Sequence, residues 1–212
     1  MSEDLTKISR LLELFPLYSE DLGIDLATPL GRFRWFVASI LFGARISEQI
    51  AANTYRCLQA TGIVDAPDKI IRAGWDRLVE ILDAGGYVRY DFSTATKLLE
   101  IMTALQQNYG SLENLYHQAS DSQNLEKRLQ EFKGVGPTTV QIFLRELRGV
   151  WQVQPEAADV ARIAATNLNI ELSQLDGERL ARVETALVKL YLRYCKRQKR
   201  CQCPMSEYCA KV

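Results

Sequence analysis

The stretch Leu129-Gln130-Glu131-Phe132-Lys133-Gly134-Val135-Gly136-Pro137-Thr138-Thr139-Val140-Gln141-Ile142-Phe143-Leu144 decides how the rest of the chain is read. An apolar helix runs into Gly134-Val135-Gly136. Pro137 then stands where a second helix opens, at a first-turn position whose missing N–H would have no helical partner anyway. The two glycines permit a tight turn. They also leave room for a phosphate to approach backbone N–H groups at the positive end of the new helix. Such donors are main-chain groups, so the contact would be blind to base sequence. Taken alone, a Gly-x-Gly turn reads first as a packing element between two helices.

Working outward, the apolar spacing stays helical. Leu98, Leu99, Met102 and Leu105 fall on one face, and Val183, Leu187, Leu190, Tyr191 and Tyr194 continue a stripe over three turns. Gly85-Gly86 and Gly110 follow periodic segments as helix stops, while Ser93 and Ser111 stand where N-caps belong. The pattern predicts about ten helices, near 5–14, 30–42, 46–60, 68–83, 93–108, 111–119, 122–132, 137–148, 157–167 and 178–195. Period-two alternation is confined to Val150-Trp151-Gln152-Val153, too short to carry a sheet. The expected fold class is all-α, without internal repeats or a Pro/Gly/Ser linker between domains.

The chain has 212 residues, 47% hydrophobic and 25% charged, which excludes disordered and collagen-like classes. Its 26 basic and 26 acidic side chains cancel, so no global field announces a polyanion or membrane partner. The distribution is uneven: residues 1–131 carry 13 basic and 18 acidic side chains, residues 132–212 carry 13 and 8. The second part is compatible with a basic face toward a polyanion. No apolar run approaches the roughly 18 residues of a membrane span, and Met1-Ser2-Glu3-Asp4 is acidic where a signal peptide is basic. A cytosolic protein is expected. The single histidine, His117, excludes Cys₂His₂ and multi-histidine metal centres and is read as structural.

Four of the five cysteines, Cys195, Cys201, Cys203 and Cys209, lie in a basic C-terminal stretch. Thiolates this dense in a cytosolic chain suit a soft metal or an iron–sulfur cluster better than disulfides, and their spacing leaves zinc and iron–sulfur level. Cys57 reads as a buried helix residue. Lys196, Arg197, Lys199 and Arg200 between the thiols would face phosphates, although a basic run is more often a solvated surface. A third stretch, Gly43-Ala44-Arg45-Ile46-Ser47, turns one helix into the next and carries an arginine able to stack on bases and pair with phosphate, and reads equally well as a plain surface arginine at a helix start.

The hairpin closely resembles that of the endonuclease III superfamily of DNA glycosylases, the helix–hairpin–helix–Gly/Pro–Asp family. The cysteine loop is similar to that family's C-terminal [4Fe–4S] loop, down to the Cys203-Pro204 pair and the last gap, with the first two gaps one residue shorter than usual. The Gly43–Ser47 turn resembles the family's early glutamine-bearing turn, with Ala44 and Arg45 in place of the glutamines. The three stretches follow family order from residue 40 to the end of the chain.

The resemblance implies a helical module near 27–151 ending in the hairpin and a second made of 1–26 plus 152–212 carrying the cysteine loop. It implies double-stranded DNA with a damaged or mispaired base as partner, a flipped nucleotide between the modules, Arg45 as a wedge, and a [4Fe–4S] cluster on the four cysteines with zinc as the alternative. It places Gly134, Val135, Gly136, Thr138 and Thr139 at the DNA backbone. It further implies a monomer acting in the cytoplasm on the nucleoid. Two positions depart from the family pattern. Thr138 replaces the lysine of strand-cleaving members, and a hydroxyl cannot form their imine with the sugar. Ala157 falls where active members carry an aspartate, with Glu156 one residue before it and Asp159 two after. Both are candidates for the catalytic carboxylate, and both are also plain first-turn acids that complement a helix dipole. The expected function is monofunctional DNA N-glycosylase; the alternative is an inactive homologue that binds DNA or lesions without excising a base.

Overall fold

The computed structural model describes residues 2–209, which are helical with connecting turns and contain no strand. No helix among them is long and apolar enough to cross a membrane. The helices are α1 Ser2–Leu14, α2 Tyr18–Asp21, α3 Pro29–Phe42, α4 Glu48–Ala60, α5 Pro67–Ala84, α6 Asp91–Asn108, α7 Leu112–His117, α8 Ser122–Gln130, α9 Pro137–Leu147, α10 Asp159–Leu168 and α11 Gly177–Leu190. The chain divides into two compact units, residues 22–143 and residues 1–21 with 144–212.

In unit 22–143 the central element is α3, buried along most of its length through Phe33, Trp35, Phe36, Val37, Ile40 and Leu41, with its arginines Arg32 and Arg34 paired to Glu113 and Asp65. Thr28 caps it by accepting from the Gly31 N–H, with Pro29 opening the helix. Phe36 packs edge-on against Phe143 with ring centroids 5.2 Å apart, and the Trp35 indole donates to the Phe143 carbonyl at 3.1 Å. Of the stripe expected on α6, Leu98, Met102 and Leu105 are fully buried while Leu99 is only half-buried, and Ile101 takes the remaining core position. Helix α5 is interrupted at Gly74, whose φ of 75° and ψ of 174° no helix contains.

Three local expectations are corrected. Ser93 does not cap α6; the helix begins at Asp91, and the Ser93 hydroxyl donates back to the Tyr90 carbonyl. A serine can satisfy itself this way one turn inside a helix as readily as at its cap. Ser111, by contrast, does cap α7 by accepting from the Asn114 N–H. Cys57 on α4 is half-buried rather than buried. The helix expected over 178–195 stops at Leu190 and continues as one π-helical turn, Tyr191–Cys195.

Unit 1–21 with 144–212 has its own core, in which Leu11 and Phe15 meet Ala161, Ala164, Ala165 and Leu168 of α10 and Val183, Ala186, Leu187 and Leu190 of α11. Small residues on α10 allow close helix approach. A buried polar network crosses this unit. Glu146 accepts from the Tyr18 and Ser19 N–H groups that open α2, at 2.9 and 3.0 Å. Lys189, fully buried, reaches Asp21 at 2.6 Å and lies 4.2 Å from the centre of the Tyr18 ring. Arg148 and Glu184 form an ion pair with side chains 3% and 0% exposed.

Candidate nucleic-acid interface

The hairpin after α8 is built by Val135, which is buried, while Gly134 beside it is exposed with φ +89°, a left-handed conformation that favours glycine. Val135 N–H closes the turn on the Phe132 carbonyl at 2.9 Å, and Val140 N–H bonds the Gly136 carbonyl at 3.1 Å to start α9. The N–H groups of Gly134, Gly136 and Thr138 have no partner among the described residues, which leaves three donors at a helix N-terminus facing exposed or half-exposed positions.

Thr138 is exposed beside them, but Thr139 is not: it is 5% exposed and packs on Gly43, where an added Cβ would stand 2.2 Å from the Thr139 hydroxyl oxygen. Thr139 thus works inside the fold, and the contact brings the Gly43 turn onto the hairpin's second helix. Two residues on, Arg45 sits in a tight turn closed by Ile46 N–H to the Ala44 carbonyl at 2.9 Å. Arg45 is exposed and has no ion-pair partner among the described residues. Hairpin donors and Arg45, remote in sequence, therefore belong to one part of unit 22–143.

In the other unit, Pro155, Glu156, Ala157 and Ala158 lead into α10. The Arg148 guanidinium donates to the Pro155 carbonyl at 2.6 Å and to Glu184, and the Glu184 carboxylate accepts the Ala158 N–H at 2.9 Å. Desolvation lowers the Arg148 pKa, and the Glu184 charge opposes that shift. The backbone of the loop is thus held from beneath by a buried pair that the sequence reading passed over. Its signal was present as a glutamate inside the apolar stripe of Val183, Ala186 and Leu187. The two carboxylates on this loop are in a different setting. Glu156 and Asp159 are both 91% exposed and share Arg162, at 3.4 and 3.5 Å. Ala157 between them is half-buried.

The π-helical turn Tyr191–Cys195, closed by Lys196 N–H to the Tyr191 carbonyl at 2.8 Å, re-aims the chain at the first cysteine of the loop. Cys203 is buried with Met205 in the core of this unit, Cys195 and Cys209 are half-buried against it, and Cys201 is exposed. Burial pushes the Cys195 thiol up, and the charges of Cys203 and Cys209 push it further. Burial likewise raises Cys203, helped by Cys209 and opposed by the Met205 N–H. Among the described residues no three His, Cys, Asp or Glu side chains are grouped as they stand to hold a metal ion. By residue type alone, four cysteines are the donors a thiolate-bound group takes, although Cys201 is turned to solvent while Cys203 is buried. Lys196, Arg197 and Lys199 are exposed and unpaired among the described residues, while the Arg200 side chain lies outside them. His117 ends α7, exposed beside Tyr116.

No family model matches the chain, and no curated protein does. Among solved structures it is similar to the crystal structure of the H. pylori 3-methyladenine DNA glycosylase MagIII bound to 1,N6-ethenoadenine, with a TM-score of 0.53 and 16% identity over 91% of this chain and 98% of that one. At that identity the likeness is one of fold.

Proposed function

We propose that the protein is a base-excision DNA glycosylase of the helix–hairpin–helix–Gly/Pro–Asp kind. The observation that carries this is the hairpin: three unpartnered N–H donors at Gly134, Gly136 and Thr138, in a fold shared along nearly its whole length with a glycosylase that holds a modified base. The donors bind backbone phosphate of double-stranded DNA in a sequence-independent way. Arg45, exposed and unpaired, fills or wedges the stack where a damaged or mispaired base is extruded. Lys196, Arg197, Lys199 and Arg200 add non-specific attraction to the duplex. The protein acts as a monomer on the nucleoid in the cytoplasm.

The reaction is hydrolysis of the N-glycosidic bond. Water adds to the sugar carbon, the bond to the base breaks, and the base leaves with the bonding electron pair and takes up a proton. Asp159, with Glu156 as second choice, supplies the carboxylate that stabilises positive charge on the sugar and accepts a proton from the water. The strand stays intact, because Thr138 offers no amine for an imine. The thiolates of Cys195, Cys201, Cys203 and Cys209 hold a [4Fe–4S] cluster, or a zinc ion in its place. When bound, that group cross-links the loop and stiffens the backbone that carries the basic residues.

Ala157 at the family's aspartate position, with Glu156 and Asp159 91% exposed, is the one observation behind a second reading in which lesions are bound and not excised. One assay separates the two. Purified protein is incubated with duplexes carrying methylated, deaminated, etheno-modified and mispaired bases, and free base is measured by chromatography. Release of any base establishes the enzyme. Lesion affinity without release establishes the binding protein.

A further inference from the structure

Lys97 on α6 is far from the hairpin in sequence and touches it in the fold. A Cβ placed on Gly134 would fall 2.8 Å from Lys97 Cε and 3.0 Å from its Cδ and Cγ, so the lysine stem lies along the open side of the hairpin glycine. Gly134 is favoured by its φ of +89°, and a Cβ there would also push the flexible Lys97 stem aside. The ammonium group has no hydrogen-bond or ion-pair partner among the described residues. Lys133, the hairpin's own lysine, pairs at 3.0 Å with Glu100, one turn along α6 from Lys97. Lys97 is also half-buried, and that desolvation pulls its pKa below the ordinary lysine value.

A lysine stem laid on apolar surface with its head in water is ordinary. A partly desolvated head without a counter-ion, on a stem laid along the glycine whose own N–H also lacks an acceptor, is a local excess of positive charge and donors. Only an anion satisfies both at once. We propose that Lys97 is the cation of the hairpin's phosphate site, binding the DNA backbone phosphate that the Gly134 and Gly136 N–H groups address. The inference rests on the DNA-binding reading above and adds a side chain to what that reading assigns to main-chain donors. Because the ligand is phosphate, the contact adds affinity at every sequence and selectivity at none.

The test is a salt titration of duplex binding by fluorescence anisotropy with the full-length protein, Lys97→Met and Lys97→Arg. Methionine keeps the stem against Gly134 and removes the charge; arginine keeps the charge. Each phosphate contact contributes about 0.9 to the slope of log affinity against log salt. Between about 50 and 200 mM salt the unmodified protein should therefore lose about 3.5 times more affinity than Lys97→Met, and Lys97→Arg should retain the full slope. Lys69→Met, which removes a lysine paired with Asp65 at 2.8 Å, is the control and should leave the slope unchanged. An unaltered slope in Lys97→Met, with the same melting temperature as the unmodified protein, overturns the proposal and leaves the DNA-binding reading intact. No duplex affinity in the unmodified protein at any salt overturns both.

Discussion

Replacing Glu184 by glutamine isolates what the buried Arg148–Glu184 pair contributes. The Glu184 carboxylate is 0% exposed and accepts two donors, the Arg148 guanidinium and the Ala158 N–H. Glutamine has nearly the same shape and can still accept from Ala158 with its carbonyl oxygen. Its amide N–H₂ then meets the guanidinium, donor against donor, and the arginine, 3% exposed, is left as an uncompensated buried cation. Breaking a buried pair on one side costs about 3–5 kcal/mol. For a chain of this size that corresponds to a fall in melting temperature of about 6–20 °C. Exchanging both partners, Arg148→Met with Glu184→Leu, removes the buried charge altogether. It leaves the Pro155 carbonyl and the Ala158 N–H unpaired at about 1–3 kcal/mol each, but with no buried charge left over the double variant should cost less than the sum of Arg148→Met and Glu184→Leu, so the cycle should show strong coupling. Urea denaturation of the unmodified protein, Glu184→Gln, Arg148→Met, Glu184→Leu and the double variant gives every quantity needed. A change below about 1 kcal/mol for Glu184→Gln, or simple additivity in the cycle, would refute the claim that this pair holds the loop into α10.

Further outcomes are expected elsewhere. Gly134→Ala, strained at φ +89° and driven against Lys97, should weaken binding to all duplexes alike in gel-shift titrations; a loss confined to one sequence would contradict a phosphate role. Anaerobically purified protein should be brown with about four iron and four sulfide per chain; one zinc per chain in a colourless protein moves the assignment to a structural zinc loop, and a folded, metal-free protein removes both. Asp159→Asn should abolish base release while lesion affinity stays nearly constant, the pattern of a group acting in the transition state. Full release in both Asp159→Asn and Glu156→Gln would exclude the two carboxylates, and a cleaved rather than intact abasic strand would contradict the role given to Thr138.

Helix positions were legible because their causes are local. The 3.6-residue spacing on α6 and α11, Ser111 at the start of α7 and Gly110 at φ +76° after α6 each act within one or two turns of chain. Where two local solutions compete, the reading slipped, as at Ser93, whose hydroxyl bonds backward into the preceding turn. The cysteine loop was legible as a donor set, whereas its individual burial was not, because Cys203 is drawn into a core made by α1, α10 and α11.

The sequence by itself determined an all-helical chain, the Gly134-Val135-Gly136-Pro137 turn and its exposed donors, since φ freedom at glycine and the missing N–H of proline are properties of single residues. Only the tertiary structure decided which side chains meet there. Thr139, one residue from an exposed threonine, is turned inward onto Gly43, and Lys97 is laid along Gly134 from another helix. Arg148 and Glu184 fix the loop before α10 while Glu156 and Asp159 on and after it remain in water. The Arg148–Glu184, Lys97–Gly134 and Gly43–Thr139 contacts join residues 36, 37 and 96 positions apart in sequence. Their existence depends on how helix faces pack, which no local pattern encodes.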